Sequence, residues 1–162
     1  MNTAAISDIT EAYYSTVLKL NAEFVHWTAP MDRAELDIIL SHASYARQIN
    51  DGAGILIGYA HDTDYPDHKN LIWLRQRLTN FFYIDRILID VSAQGQRLGQ
   101  GLYNDISDFA RACGHSHLTC EVNTRPDNPN SHRFHLRFGF EAIGEQDFPN
   151  YDKSVRYYAL AL

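Results

Sequence analysis

The spacing of apolar and polar positions divides the chain into a mixed series of helices and strands. Residues 16–20 read as a short strand. Asp32-x-x-Glu35 is a capping-box pattern, and Leu36, Ile39, Leu40 and Ala43 follow it at helical spacing. Residues 45–49 and 55–60, joined through Asp51-Gly52-Ala53-Gly54, read as an antiparallel hairpin. The polar stretch 61–69 reads as a loop, with Asn70 capping a short helix over 71–78. Residues 81–89 are dense in aromatic and β-branched side chains, which predicts a strand. A glycine-bearing turn then leads into a helix that buries Leu102, Ile106, Phe109 and Ala110 and stops at Gly114. Residues 117–122 predict another strand. Asn128-Pro129 is an N-cap followed by proline at the first helical position, opening a helix that runs to Phe138 and stops at Gly139. Residues 140–148 and 154–160 read as two closing strands. The order predicts a mixed α/β domain, with strand–helix–strand units in its C-terminal half.

Composition narrows the class. At 162 residues the chain fits one domain spanning 1–162. A net charge of −6 argues against binding nucleic acid through phosphate neutralisation. No apolar run reaches the roughly 18–20 residues of a membrane span, and the N-terminus lacks a basic then apolar leader pattern. Two cysteines are too few for a disulfide framework. The expectation is a soluble, cytoplasmic protein. Residues 75–137 hold eight of the fourteen Lys and Arg against six Asp and Glu, a balance of +2; the rest carries six against fourteen, or −8. Such a distribution suits an anionic ligand bound centrally, although chance clustering explains it equally well.

The first chemical feature is the stretch Gln94-Gly95-Gln96-Arg97-Leu98-Gly99-Gln100-Gly101 between a strand and a helix. Backbone N–H groups converge at such a helix start, and the helix dipole adds about half a positive charge, which suits a phosphate. A purely structural turn is the competing reading. The stretch is neither a G-x-x-x-x-G-K-[ST] loop nor a clean G-x-G-x-x-G.

Tyr83-Ile84-Asp85-Arg86, the glycine stretch, Cys120-Glu121-Val122-Asn123, and the run from Asn128-Pro129 through Phe134-His135 to Gly139-Phe140 together resemble the GNAT superfamily of acetyl-CoA-dependent N-acetyltransferases, in particular a bacterial branch of predicted acetyltransferases. The family's pyrophosphate loop, [QR]-x-x-G-x-[GA], is matched from Gln94 to Gly99, with Arg97 where the first glycine usually stands. The register Gln96 to Gly101 restores that glycine, at Gly99. The resemblance is close over residues 80–148 and loose before 60. It implies a central mixed, twisted sheet of about six to seven strands flanked by helices, with two splayed neighbouring strands. It implies that Ile87, Leu88 and Ile89 offer backbone groups to the pantetheine arm, that Gln94, Gly95, Gln96, Arg97, Leu98, Gly99 and Gln100 cradle the pyrophosphate, that Asn128 bonds the arm, and that Ser131 is also among the cofactor-binding residues. Asn128 reads equally well as a plain N-cap. Acetyl-CoA and an amine are the implied substrates, with no metal, nucleic acid or membrane partner. Pairing of sheet edges into a homodimer is compatible with such a fold.

Amine acetylation needs two proton transfers. Deprotonating an amine of pKa ~10.4 at pH 7 costs about 4.6 kcal/mol, so a base must assist. Asp85 fits by position, expected to share a strand face with Tyr83, Ile87 and Ile89, although pairing with an arginine is the alternative. Glu121 is the other candidate. The departing thiolate needs an acid. The resemblance puts His135 where most members carry tyrosine, and histidine can donate near neutrality. Ser131, one turn earlier, offers a relay through water, and His135 packed against backbone is the plain alternative. The pair His132-x-x-His135, with His115 and His117, lacks the ligands of a metal site. Trp73 and Tyr65 could flank an acceptor or simply pack, and Asp62, Asp64 and Asp67 could draw a cation or simply be solvated. Direct transfer of acetyl to a primary amine of a small molecule, amino acid or peptide is the leading reading. The alternatives are a non-catalytic acyl-CoA-binding regulator, suggested by Arg97 and His135, and an unrelated anion-binding α/β module.

Overall fold

The computed structural model of the chain describes residues 5–162; the expected absence of a leader pattern falls partly on residues 1–4, which lie outside the described residues. In chain order its elements are β1 (Ile6–Asp8), α1 (Tyr14–Glu23), α2 (Arg33–His42), β2 (Tyr45–Ile49), β3 (Gly54–Ala60), α3 (Lys69–Arg75), β4 (Phe82–Ile89), α4 (Leu98–Ala112), β5 (His117–Arg125), α5 (Pro129–Phe138), β6 (Glu141–Phe148) and β7 (Lys153–Ala161). The strands form one seven-stranded sheet in the order β1-β2-β3-β4-β5-β7-β6. All neighbours are antiparallel except β4 and β5.

Helices cover both faces of the sheet. On one face α4 buries Leu98, Leu102, Ile106 and Ala110 against Leu56, Phe82, Ile84, Leu118 and Val122. On the other, Val17, Leu20, Leu36, Ile39, Leu71 and Leu74 of α1, α2 and α3 pack on Ile55, Ile57, Phe81, Tyr83, Val155 and Tyr157. The capping box of α2 forms as expected, Asp32 accepting from the Glu35 N–H and Glu35 from the Asp32 N–H. Asn128 caps α5, which ends at Gly139 with φ +114.

Two local expectations are corrected. Residues 16–20 lie inside α1, not in a strand. The short window is β-branched at Thr16 and Val17, but Val17, Leu20 and Asn21 are buried at the i, i+3, i+4 spacing of a helix packed on the sheet. The third helix begins earlier than expected and is capped by His68, whose Nδ1 accepts from the Leu71 N–H. Asn70 is taken up elsewhere, its amide donating to the Tyr83 hydroxyl.

Two irregularities of β4 shape the molecule's cleft. The parallel pairing with β5 comprises only Phe82 with Leu118 and Tyr83 with Thr119, although β4 runs on to Ile89 and β5 to Arg125. Past that point the β4 edge facing β5 offers unpaired backbone groups to the gap. The second irregularity is a bulge. Ile57 pairs with Arg86 and Gly58 with Ile84, which leaves Asp85 with no partner on β3. An extra residue slips the alternation by one. Before it, Phe82 and Ile84 face α4; after it, Ile87 and Ile89 do. Asp85 therefore does not share a face with Ile87 and Ile89, contrary to strict alternation.

Candidate active site

The gap between β4 and β5 joins two cavities. A groove of about 750 Å³ runs along the end of β4, the glycine turn, the start of α4 and the side of α5. A chamber of about 250 Å³ lies deeper, lined among others by His68, Asn70, Tyr83, Asp85, Glu121 and Lys153. Trp27, Ile87, Asn128, Ser131 and His135 line both and mark the junction. The Trp27 indole N–H donates to the Asp127 carbonyl (3.1 Å), and the Asn123 amide donates to the Trp27 carbonyl (3.0 Å). These bonds tie the loop after α1 across to the end of β5.

Of the residues expected to bind a cofactor, Ile87, Leu88, Ile89, Gln94, Gly95, Arg97, Leu98, Gly99, Gln100, Asn128 and Ser131 all line the groove; Gln96 is exposed and does not. No side chain caps α4, so the N–H groups of its first turn remain directed at the groove. Gly95 has φ +81 and open space where a Cβ would sit, and a Cβ on Gly99 would make only ordinary contacts with Phe134. This is a cradle with room for an anion such as a phosphate.

Arg97, in the position where the resembled motif carries glycine, has φ +61 and ψ +20. A left-handed conformation costs a side chain roughly 1–2 kcal/mol, which accounts for glycine in the motif. Arg97→Gly is accordingly expected to hold or raise the melting temperature, by up to a few degrees; a clear drop would show that the arginine is tied into the fold.

The two expected catalytic groups occupy settings that suit other work. Asp85 is buried, its Oδ2 2.7 Å from Arg86 Nε and its Oδ1 3.2 Å from His68 Nε2. Burial alone would raise its pKa, but the Arg86 charge and the His68 hydrogen bond outweigh this and hold it below the usual carboxylate range. The plain alternative, pairing with an arginine, describes Asp85, and so weak a base is poorly matched to an amine. His135 is buried too. Its Nδ1 donates to the Ser131 carbonyl (2.7 Å), so Nε2 is the acceptor for the Tyr103 hydroxyl (2.6 Å). Burial lowers its pKa to about 4, with His132 adding to the shift and the bond to Ser131 opposing it. At neutral pH it is uncharged and its one N–H is engaged, so it has no proton ready to give.

Glu121, the other candidate, lies in a setting that suits a base. Half-buried on β5, just past the last paired residue, it accepts a hydrogen bond from the Tyr83 hydroxyl (2.7 Å). Burial pushes its pKa up to about 7, the Tyr83 bond opposing the shift. A supporting chain continues from Tyr83 to Asn70 (3.2 Å) and on to Tyr157 (2.7 Å). Burial raises the Tyr83 pKa well above its ordinary value, so this phenol stays protonated and donates.

Several junction and chamber residues carried no local signal. Trp27 comes from a loop, Lys153 opens a strand, and Tyr103 lies beside Leu102 on a helix whose apolar stripe accounts for it equally well. Trp73 and Tyr65 line neither cavity; Trp73 stacks on Tyr157 with centroids 3.9 Å apart. Among the described residues, no group of three or more His, Cys, Asp or Glu is placed to hold a metal ion, and no helix is long and apolar enough to cross a membrane.

The seven-stranded mixed sheet, with a parallel pair that parts over an uncapped helix start, has the architecture that the sequence resemblance implied, and comparison with known proteins supports the family. The family model for the acetyltransferase (GNAT) family matches residues 6–140. The chain belongs to that family, and it is an N-acetyltransferase. A search of curated proteins finds no match. Among solved structures it is similar to Ard1 from Thermoplasma volcanium, with a TM-score of 0.78 at 14% identity, covering 98% of this chain and 97% of that one. It is also similar to the polyamine N-acetyltransferase of Drosophila melanogaster, described as catalysing formation of N-acetylagmatine, with a TM-score of 0.72 at 14% identity and coverage of 99% and 100%. The NatC complex bound to Gag peptide and CoA gives a TM-score of 0.74 at 12% identity, with 98% of each chain covered.

Proposed function

We propose that the protein transfers the acetyl group of acetyl-CoA directly to a primary amine, with the donor in the groove and the acceptor in the chamber. The observation that carries this reading is the parting of β4 from β5 beyond Tyr83 and Thr119. It opens a passage from the anion cradle at the start of α4 to a chamber that holds a carboxylate of near-neutral pKa. The CoA bound in the NatC neighbour supports the choice of donor. The donor supplies an acyl carbon activated as a thioester.

The chain's own groups then divide the remaining work. The cradle of Gln94, Gly95 and Arg97 to Gln100 holds the diphosphate through backbone N–H groups. The free edge of β4 from Ile87 to Ile89 bonds the pantetheine arm as a neighbouring strand would, and an N–H there stabilises charge growing on the carbonyl oxygen. Glu121 takes the proton that the attacking amine must lose. Asp85 is not part of that step; it neutralises Arg86. His135 and Tyr103, engaged with each other, form a fixed wall, and the hydroxyl at the junction is that of Ser131. When the C–S bond breaks, Ser131 Oγ passes a proton to the sulfur and is reprotonated by water.

The test is thiol release from acetyl-CoA over a panel of amines, together with a thermal shift by CoA. Wild type is expected to be stabilised by CoA and to release thiol with at least one amine. Ser131→Ala is expected to lower kcat about tenfold or more while leaving CoA affinity within a few fold. Absence of a thermal shift would remove the groove assignment, and unchanged kcat in the variant would remove Ser131.

A further inference from the structure

The chamber holds one carboxylate and one ammonium that are left without an ion-pair partner, and together they indicate what the acceptor carries. Three of its ionisable groups are already matched. Asp85 and Arg86 form a buried pair, and Arg86 also donates to Asn21 Oδ1 (2.7 Å). His68 spans Asp85 and the Leu71 N–H with its two ring nitrogens. Two groups remain. Among the described residues Glu121 and Lys153 take part in no ion pair, with each other or with any other group.

Both belong to the same wall. Glu121 lies opposite Tyr157 across the β5–β7 ladder, and residues directly opposite share a face. Lys153, Val155 and Tyr157 alternate onto that face, where Val155 and Tyr157 join the core beneath α1, α2 and α3. Lys153 is four positions before Tyr157, so its Cα is roughly 14 Å from that of Glu121 at ~3.3 Å per residue and ~5 Å between strands. The side chains line one chamber, and the Lys153 charge is felt by Glu121 as a small downward pull on its pKa. An α-amino acid has its nitrogen about 2.5 Å from its carboxyl carbon. With a charge-assisted bond of ~2.8 Å at each end, it spans about 8 Å between a carboxylate and an ammonium, a length that fits within the roughly 14 Å between the two Cα atoms.

We propose that the acceptor is a free α-amino acid, its amine presented to Glu121 and its carboxylate held by the ammonium of Lys153. This inference rests on the chamber being the acceptor site. The same arrangement disfavours a polyamine: a second cation would meet the Lys153 ammonium, and Asp85, the chamber's other carboxylate, is already taken up by Arg86 and His68. The acceptor class therefore differs from that of the N-acetylagmatine-forming neighbour.

The experiment compares L-leucine, L-leucinamide and agmatine as acceptors, by thiol release, for wild type, Lys153→Met and Lys153→Arg. The variant-to-wild-type ratio for each acceptor cancels the different basicities of the amines. Lys153→Met is expected to lower kcat/KM for leucine about 10–100-fold, mainly through KM, and for leucinamide by no more than about threefold. Lys153→Arg is expected to recover most of the loss, which also shows that the position tolerates change. Wild type is expected to use agmatine at least tenfold less well than leucine. Equal losses on leucine and leucinamide, or a preference of wild type for agmatine, overturn the inference while leaving acetyl transfer standing. Thiol release with none of the three, despite a CoA thermal shift, overturns it as well; release with other amines of a wider panel then shows that transfer itself survives.

Discussion

Glu121→Gln is expected to lower kcat/KM for amine acetylation about 10²–10⁴-fold, the range that a positioned general base contributes. The pH profile makes the assignment specific. Because burial raises the Glu121 pKa to about 7, its basic form accumulates as pH rises through neutrality, and wild-type kcat/KM should climb there. The glutamine variant should lose that limb and retain only the rise at higher pH set by the amine itself. Stability should move the other way. A carboxyl whose folded pKa lies above its unfolded value loses stabilisation as pH rises through the folded value. The melting temperature of Glu121→Gln should therefore gain on that of wild type between pH 5 and pH 8. A group that is costly to the fold at working pH yet contributes to catalysis is a common trade at active sites. Retention of both rate and limb in the variant would assign the proton to water.

Asp85→Asn is expected to damage the fold rather than the chemistry. The side chains of Asp85 and Arg86 are only 7% and 12% exposed, and their heavy atoms meet at 2.7 Å. Removing one charge of a buried pair leaves the other uncompensated and costs about 3–5 kcal/mol. At about 2–4 °C per kcal/mol for a domain of this size, the melting temperature should fall by roughly 6–20 °C. The Asp85 pKa is held below its unfolded value, so its contribution is complete above about pH 4 and disappears as pH falls below that. The stability difference between wild type and variant should therefore be full at pH 7 and narrow in acid. The limb near pH 7 in kcat/KM should persist in the folded variant. A variant that melts like wild type but has lost that limb would return the base role to Asp85.

The contrast between Asp85 and Glu121 shows where the sequence ceased to be informative. Both are carboxylates on strands that flank the cleft, and strict alternation favours Asp85. What decides between them is the single unpaired residue in the β3–β4 register, which places Asp85 beside Arg86 and His68 and turns Ile87 to the other face. No signal within β4 announces that slip, because it depends on how Ile57 and Gly58 of β3 meet it. His135 is a similar case. Its place on α5 was legible from Asn128-Pro129 and Gly139, but its protonation follows from burial against Tyr103 and from a carbonyl one turn earlier. The residues 16–20 show the limit at the level of secondary structure. A five-residue window sees β-branched content, whereas the burial of Val17, Leu20 and Asn21 against the sheet selects a helix.

The sequence by itself determined what depends on contacts within a turn or two of chain: the capped starts of α2 and α5, the left-handed stops at Gly114 and Gly139, the hairpin of β2 and β3, and the glycine turn ahead of α4. It also carried the resemblance that the family match makes firm. Tertiary structure alone decided where β4 leaves β5, which carboxylate is paired and which keeps a near-neutral pKa, and that Lys153 reaches the same chamber. Those outcomes depend on desolvation and on charges brought together from distant parts of the chain, and electrostatic energies of that kind are set by three-dimensional surroundings rather than by neighbours in sequence.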